Sequence, residues 1–513
     1  MSAPSGDDSS TDSDGAQQPF YGPFTGPTMH ERRARWSLLS RRIAGATSSG
    51  KKRRKVEETP RQGRYEYEFD EGDPRRWRLD ASKSPWWSDL QHPEVDDETS
   101  AAGRRFRHKF RLPYAMAMEL VNEAQAVKEF RDKPPGEGGG RGPPRHPLVL
   151  KVLAVLRHLG KGMDSESLED AAQISKSTLG VFIPKFLRWM RDVIYPREVR
   201  LPTGDHLDRS MKVYEILGFP GAYCSADGVH VPWDRAPSAQ HNDYVGKEGY
   251  PTVAFVVCVL HSREVIHVDQ PLPGGRNDKT HAQHAEIFQK LRQNKLHPER
   301  VYYLYNANGK LVEWRGIWAI VDNGFHQWRV LQAPLKHATD EHAAACSKRL
   351  ESVRKDSECT FGTMKNRFRV LRLPFLCNTM GQIDDTFRAC TALHNMLLRH
   401  DCYHSIGHRS SDWQAERYER QRADLDKSRM DRTYMRGPDP LLPGVEREPS
   451  FLALREAILK HFEMARKKKE VRWLRTAADC RAVSVHGESA EVDGEEGDEA
   501  NEDEWGVHSE DSE

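Results

Sequence analysis

The sequence predicts an α/β domain preceded by an α-helical region and bounded by polar tails, and three observations carry that prediction. From Gly221 onward, Val- and Ile-rich runs of strand length alternate with longer segments of helical composition, and acids stand at the ends of the apolar runs. Residues 147–195 instead space their apolar residues for helices and offer capping residues between them. Residues 1–60 and 481–513 are too polar to build a core, so both are expected to be disordered.

A chain of 513 residues exceeds what one core usually serves and suggests two or three folded units plus tails. The net charge of +1 conceals a strong asymmetry. No Lys or Arg follows Arg481, residues 487–513 hold 13 acids, and everything before them sums to about +14. A basic body with an acidic tail suits a polyanion-binding protein whose tail shields the basic surface; a tail that only solubilises fits equally well. Eight cysteines without a CxxC pair read as reduced thiols rather than a disulfide framework or zinc site. No run of 18 apolar residues predicts a membrane span, and the N-terminus lacks the charged-then-apolar pattern of a signal peptide. Lys51-Lys52-Arg53-Arg54-Lys55-Val56 has the pattern of a nuclear localisation signal, which predicts a nuclear protein; a solvated charge cluster is the alternative.

Taken in order, residues 61–132 form an N-terminal arm with Trp77, Trp86 and Trp87 and a helical stretch over 104–129. A Pro/Gly-rich linker at 133–146 leads into a helical region at 147–200. Its helices are expected at Pro147–His158, at Ser165–Ala172 with Ser165 as N-cap, and from Lys176 towards Ile194 with Ser175 as N-cap and a kink at Pro184. The short helix, the turn Gln173-Ile174-Ser175 and the following helix suit a helix-turn-helix that sets Lys176 and Ser177 against DNA; a helical subdomain that only packs on its neighbour is the alternative. Within 217–405, strands are expected at Ala222–Trp233, Thr252–Leu260, Glu264–Gln270 and Ile317–Val321, with helices at Lys279–Arg292, 341–366 and Gln382–Arg399. A helical, basic extension (406–480) and an acidic tail (481–513) follow.

Three acids in recognisable settings are the leading candidates for chemistry. Asp227 stands in Ala226-Asp227-Gly228-Val229-His230, Asp322 closes an apolar run in Ile320-Val321-Asp322-Asn323-Gly324, and Glu358 lies in a helical segment 35 residues further on. Carboxylates converging from distant segments are what divalent metals need to gather phosphate oxygens, and hard cations such as Mg²⁺ prefer oxygen ligands. Around them, Gly218-Phe219-Pro220-Gly221, Tyr244-Val245-Gly246-Lys247, Pro273-Gly274-Gly275-Arg276-Asn277-Asp278, Asp322-Asn323-Gly324, Arg354-Lys355-Asp356-x-Glu358-x-x-Phe361-Gly362 and Leu393-His394-Asn395-Met396 occur in that order. Over roughly 185 residues this succession resembles the nuclease domain of the PIF/Harbinger-type transposases, in particular the plant transposon protein branch and its domesticated relatives.

The resemblance implies an RNase H-like nuclease domain, a mixed sheet flanked by helices, with Asp227, Asp322 and Glu358 as a DDE triad that holds two Mg²⁺ or Mn²⁺ ions. It implies cleavage and transfer of phosphodiesters at transposon ends, a separate Myb-like DNA-binding partner, and a homo-oligomer on DNA. A non-cleaving, domesticated nuclear DNA-binding or chromatin-associated protein is the rival function. Arg354, four residues before Glu358, is placed to orient it, and a solvent-exposed charge is the equal alternative for Arg354 and Lys365. Asp278 and His230 are further candidates near the site, His230 with a purely structural role as its alternative. Lys365, Arg367 and Arg369 form a basic run suited to gripping phosphates. Two departures from the family pattern stand out: Ser357 and Cys359 flank Glu358 where relatives more often carry an apolar residue and Arg or Ala, and residues 305–315 look inserted.

Overall fold

The computed structural model describes residues 83–132, 146–338, 340–401 and 448–473. The basic run at 51–56, Trp77, the linker at 133–145, the stretch 402–447 and the acidic tail lie outside these residues. The first helices are α1 (Trp86–Leu90), α2 (Ala101–Phe110) and α3 (Tyr114–Gln125). The single helical stretch expected over 104–129 is thus two helices. Arg111 takes a left-handed conformation (φ 66°) that ends α2, and Pro113 opens α3.

α4 (Leu148–Lys161) starts after Pro147 and stops at Gly162, whose φ of 68° suits a residue without Cβ. α5 (Ser165–Ala172) is capped by Asp164 rather than Ser165, its carboxylate accepting from the Ser167 N–H at 2.8 Å. α6 (Lys176–Trp189) is capped by Ser175 as expected. No break occurs at Pro184: the helix runs on through a π-helical turn at Met190–Ile194 and a last turn at Tyr195–Glu198. Gly180, whose carbonyl loses its partner to the proline, is exposed, so that group is open to solvent rather than buried unpaired.

After α7 (Asp205–Ile216) come β1 (Ala222–Pro232), β2 (Thr252–Val259), β3 (Val265–Val268) and the two-residue β4 (Leu272–Pro273). The expected helix over 279–292 is two, α8 (Asp278–His284) and α9 (Glu286–Arg292), because Ala285 is extended between them. Then follow β5 (Val301–Tyr305), β6 (Leu311–Arg315), β7 (Trp318–Ile320) and β8 (Leu331–Gln332). The stretch that looks inserted proves to be the turn and second strand of the β5–β6 hairpin, a small sheet of its own. The last helices are α10 (Glu341–Arg367), α11 (Met380–His400) and α12 (Pro449–Lys467).

The main sheet is mixed, in the order β3-β2-β1-β7-β8, with β4 paired to β2. β1, β2 and β3 are antiparallel; β7 is parallel to β1, and β8 to β7. Every residue of β2 is buried, so both faces of the sheet are covered, which is why this strand reads as an unbroken apolar run. On one face Val253, Phe255, Val257 and Val259 share a single core with α4, α6, α10 and α11, so the helical region has no core separate from the sheet. On the other, Val256 and Cys258 pack towards Phe288 and Trp328. At the β7 side, Leu454, Ile458 and Phe462 of α12 join Trp318, Phe219 and Val353.

The Leu393-His394-Asn395-Met396 block acts as a structural clamp. The Asn395 amide receives the Val265 N–H at 3.0 Å and donates to the Val265 carbonyl at 2.7 Å and the Glu198 carbonyl at 3.0 Å. It thereby supplies the edge of β3 with the pairing another strand would give.

Candidate active site

Sheet register brings the first two acids together. Ser225 of β1 pairs with Ile320 of β7, and two residues further along these parallel strands stand Asp227 and Asp322. Helix α10 supplies the third. The Ser225 hydroxyl donates to the Val353 carbonyl at 3.2 Å, which pins the helix over β1 one turn before Glu358.

Arg354 occupies the centre of the cluster. Its Nη1 lies 2.8 Å from Glu358 Oε1 and 3.4 Å from Asp227 Oδ2, and its Nε lies 4.0 Å from Asp322 Oδ1. Its Nη2 binds Glu351 Oε1 at 2.5 Å. The arginine side chain is only 9% exposed, against 18% for Asp227, 42% for Asp322 and 49% for Glu358. The site is therefore buried at Asp227 and opens to solvent through the other two acids. Burial pushes the Asp227 carboxyl up to about 7, and the charges on Glu358 and Asp322 push the same way, while the Gly228 N–H and Arg354 oppose them. Three carboxylates, Glu351 first and then Glu358 and Asp227, raise the pKa of the guanidinium further above its ordinary range against the opposing effect of burial.

Asp278, the first residue of α8, is positioned by glycines. A Cβ on Gly274 would collide with Thr252 and one on Gly275 with the Asp243 carbonyl, so only glycines let the loop pass this closely. Asn277 then caps α8, accepting from the Thr280 N–H at 2.8 Å. The Asp278 carboxylate packs against Gly324, where any side chain would strike it, and faces Gly228. Strand alternation puts Gly228 on the opposite face of β1 from Asp227, so Asp278 approaches the cluster from behind. Burial raises its carboxyl, Lys247 opposes, and Asp322 adds to the rise. His230 shares that rear face. Its Nδ1 lies 3.0 Å from Thr252 Oγ1, and burial, then His281, pushes its imidazole down to about 4, so it stays neutral. Neither residue bonds Asp227, Asp322 or Glu358.

Lys365 and Arg367, expected to grip phosphate, have partners inside the protein. The Lys365 ammonium donates to the His230 carbonyl at 2.9 Å, and Arg367 reaches His394 at 3.4 Å and Asp401 at 3.5 Å. Arg369 is exposed. Lys176 and Ser177 are exposed at the start of α6, with Lys176 3.5 Å from Glu166. The sequence reasoning missed Glu351 and Lys247. Glu351 was findable, since residues 351, 354 and 358 fall on one helical face at i, i+3 and i+7.

The carboxylates offer hard oxygen donors, the kind a divalent cation prefers, and they converge on one cationic centre, the Arg354 guanidinium. With Arg354 among them, no group of three or more His, Cys, Asp or Glu side chains among the described residues is set to hold an ion directly. The donor chemistry fits a divalent cation once Arg354 gives way. No helix among the described residues is long and apolar enough to cross a membrane.

Fold and site together define a mixed α/β protein with an acidic cluster at adjoining ends of parallel strands. Residues 196–404 match the family described as plant transposon protein. Over that segment the chain is a relative of the PIF/Harbinger-type transposases. No curated protein and no solved structure matches the chain.

Proposed function

We propose that the protein is a metal-dependent DNA endonuclease and transposase of RNase H-like fold, with Asp227, Asp322 and Glu358 as its DDE triad. The observation that carries this reading is the single guanidinium of Arg354 within 4.0 Å of all three carboxylates. Three antiparallel strands followed by two parallel ones, with acids on the first and after the fourth of the sheet's longer strands, support it. Asp227, Asp322 and Glu358 would hold Mg²⁺ or Mn²⁺, two ions in the family pattern, which activate the attacking water or 3′-hydroxyl and stabilise the leaving oxygen. Arg354 keeps the acids gathered and neutralised before loading, and its contact with Glu351 gives the guanidinium a partner outside the three acids. Asp227 must be ionised to serve, so its activity rises with pH through neutrality. The substrate is transposon-end DNA, handled in the nucleus by a homo-oligomer with a Myb-like partner.

One observation favours a second reading. Since Arg354 fills the cluster and no ready metal group stands among the described residues, Arg354 also suits a permanent counter-ion in a non-cleaving nuclear DNA-binding or chromatin-associated protein. Incubating supercoiled plasmid with the full chain and Mg²⁺ or Mn²⁺ separates the two. The nuclease reading expects nicking by wild type and at least a ~100-fold loss in Asp227→Ala and Glu358→Ala, the scale set by removing an essential catalytic group. No cleavage by any of the three, with DNA still bound, favours the second reading.

A further inference from the structure

The cations of α2 divide into two groups. On one side Arg105 and Lys109 pair with Asp89, and Arg107 pairs with Glu98 and Asp401. On the other side His108 and Arg111 approach Arg157 and Lys161 of α4, and Arg369, just past the end of α10, joins them. Among the described residues no acid forms an ion pair with any of these five. The cluster is built rather than scattered. Arg111 sits at the left-handed end of α2, and its stem lies across Gly160, where even a methyl group would collide with it. Arg157 is tied by its Nη1 to the Lys109 carbonyl at 3.1 Å. The Nε atoms of Arg111 and Arg157 are buried without a hydrogen-bond partner among the described residues. Burial lowers the pKa of Lys161, and Arg111, Arg157 and Arg369 lower it further; burial lowers that of Arg111, and Arg157 adds to this. A cluster of like charges with no acid partner among the described residues costs stability through mutual repulsion and suits an anion.

We propose that His108, Arg111, Arg157, Lys161 and Arg369 form a binding site for the phosphate backbone of duplex DNA, at the seam between the helical region and the sheet. Three segments distant in sequence converge on it, as a surface tracking several phosphates requires. Arg369 follows the helix that carries Glu358, on the order of 15 Å along its axis at 1.5 Å per residue, less than one turn of duplex away. The patch also supplies the phosphate contacts that Lys365 and Arg367, turned inward, do not. It acts whether or not the acids cut.

The test is fluorescence anisotropy of a labelled 30-bp duplex of mixed sequence with the full chain in EDTA, across a salt series. Lys161→Gln/Arg369→Gln should weaken binding about tenfold near physiological salt and lower the log–log salt slope by about two, one per lost phosphate contact. Lys161→Arg/Arg369→Lys should bind as wild type, and so should Lys460→Gln on α12. The Gln pair should melt at or above wild type, because repulsion is relieved; a merely structural role would lower it. If the Gln pair proves unfolded, His108→Gln/Arg369→Gln at the two exposed positions decides by the same slope. Unchanged affinity and slope in a folded Gln variant overturns the proposal. So does loss of binding to phosphatidylserine vesicles or RNA alone, with duplex binding intact.

Discussion

Arg354 and Asp227 set the resting chemistry of the cluster in opposite ways. Arg354 balances the acids, whereas Asp227, the most buried of the three, carries a carboxyl raised from 3.8 to about 7 by desolvation first. Between those values the folded chain holds a proton that the unfolded chain releases. Its contribution is thus fully present below pH 4 and lost as pH rises through 7. Asp227→Asn removes the ionisation and keeps the shape. In EDTA it should melt higher than wild type at pH 8, by on the order of 3 kcal/mol, and converge with it near pH 4. Scanning calorimetry at the two pH values checks this; a variant less stable at pH 8 contradicts it. At this scale Asp227, Asp322 and Glu358 were legible because each sits in its own local motif. Asp278 was legible as a neighbour, but its approach from behind β1 depends on a glycine fit no spacing reveals. The inward turn of Lys365 depends likewise on which strand lies beneath α10.

Among the elements, β2 and α11 were readable because burial on both faces and sustained apolar spacing leave little choice. The Arg111–Pro113 break was hidden by continuous helical apolar spacing across it, and the Asp164 cap by the neighbouring Ser165. Helix α12 lies beyond the segment 196–404 yet completes the core beside β7, stacking Phe462 on Phe219 with ring centres 5.8 Å apart. Phe462→Ala should therefore cost roughly 3–5 kcal/mol. A chain ended at residue 404 should lose cooperative melting of the sheet domain. Equal melting of the full and shortened chains would show α12 to be an ornament.

At the scale of the whole molecule, the helical region and sheet share one core, so two independent folding units are not expected among the described residues. Buried neutral histidines tie that body to pH. His394, pushed down to about 3 chiefly by burial, donates from Nε2 to the Arg263 carbonyl at 3.1 Å. His461, pushed down to about 4 by burial, accepts the Tyr305 N–H at Nδ1 at 3.1 Å. Below pH 6.5 the unfolded chain binds protons that these rings refuse. Stability therefore falls with pH from 6.5 towards 4, by up to about 1.4 kcal/mol per pH unit for each ring. His461→Asn keeps an acceptor without the titration, so it should lose less melting temperature than wild type between pH 7 and pH 5. An identical loss in both would remove His461 from the account.

The central claim is that the three acids, gathered around Arg354, take up divalent metal. Melting of the full chain in EDTA and in millimolar Mg²⁺ or Mn²⁺, for wild type and for Asp227→Asn/Glu358→Gln, tests it most directly. Wild type should gain roughly 1.4 kcal/mol, about 3 °C, with the ion at ten times its Kd, and the double variant nothing. Superimposable wild-type curves with and without metal would contradict the claim.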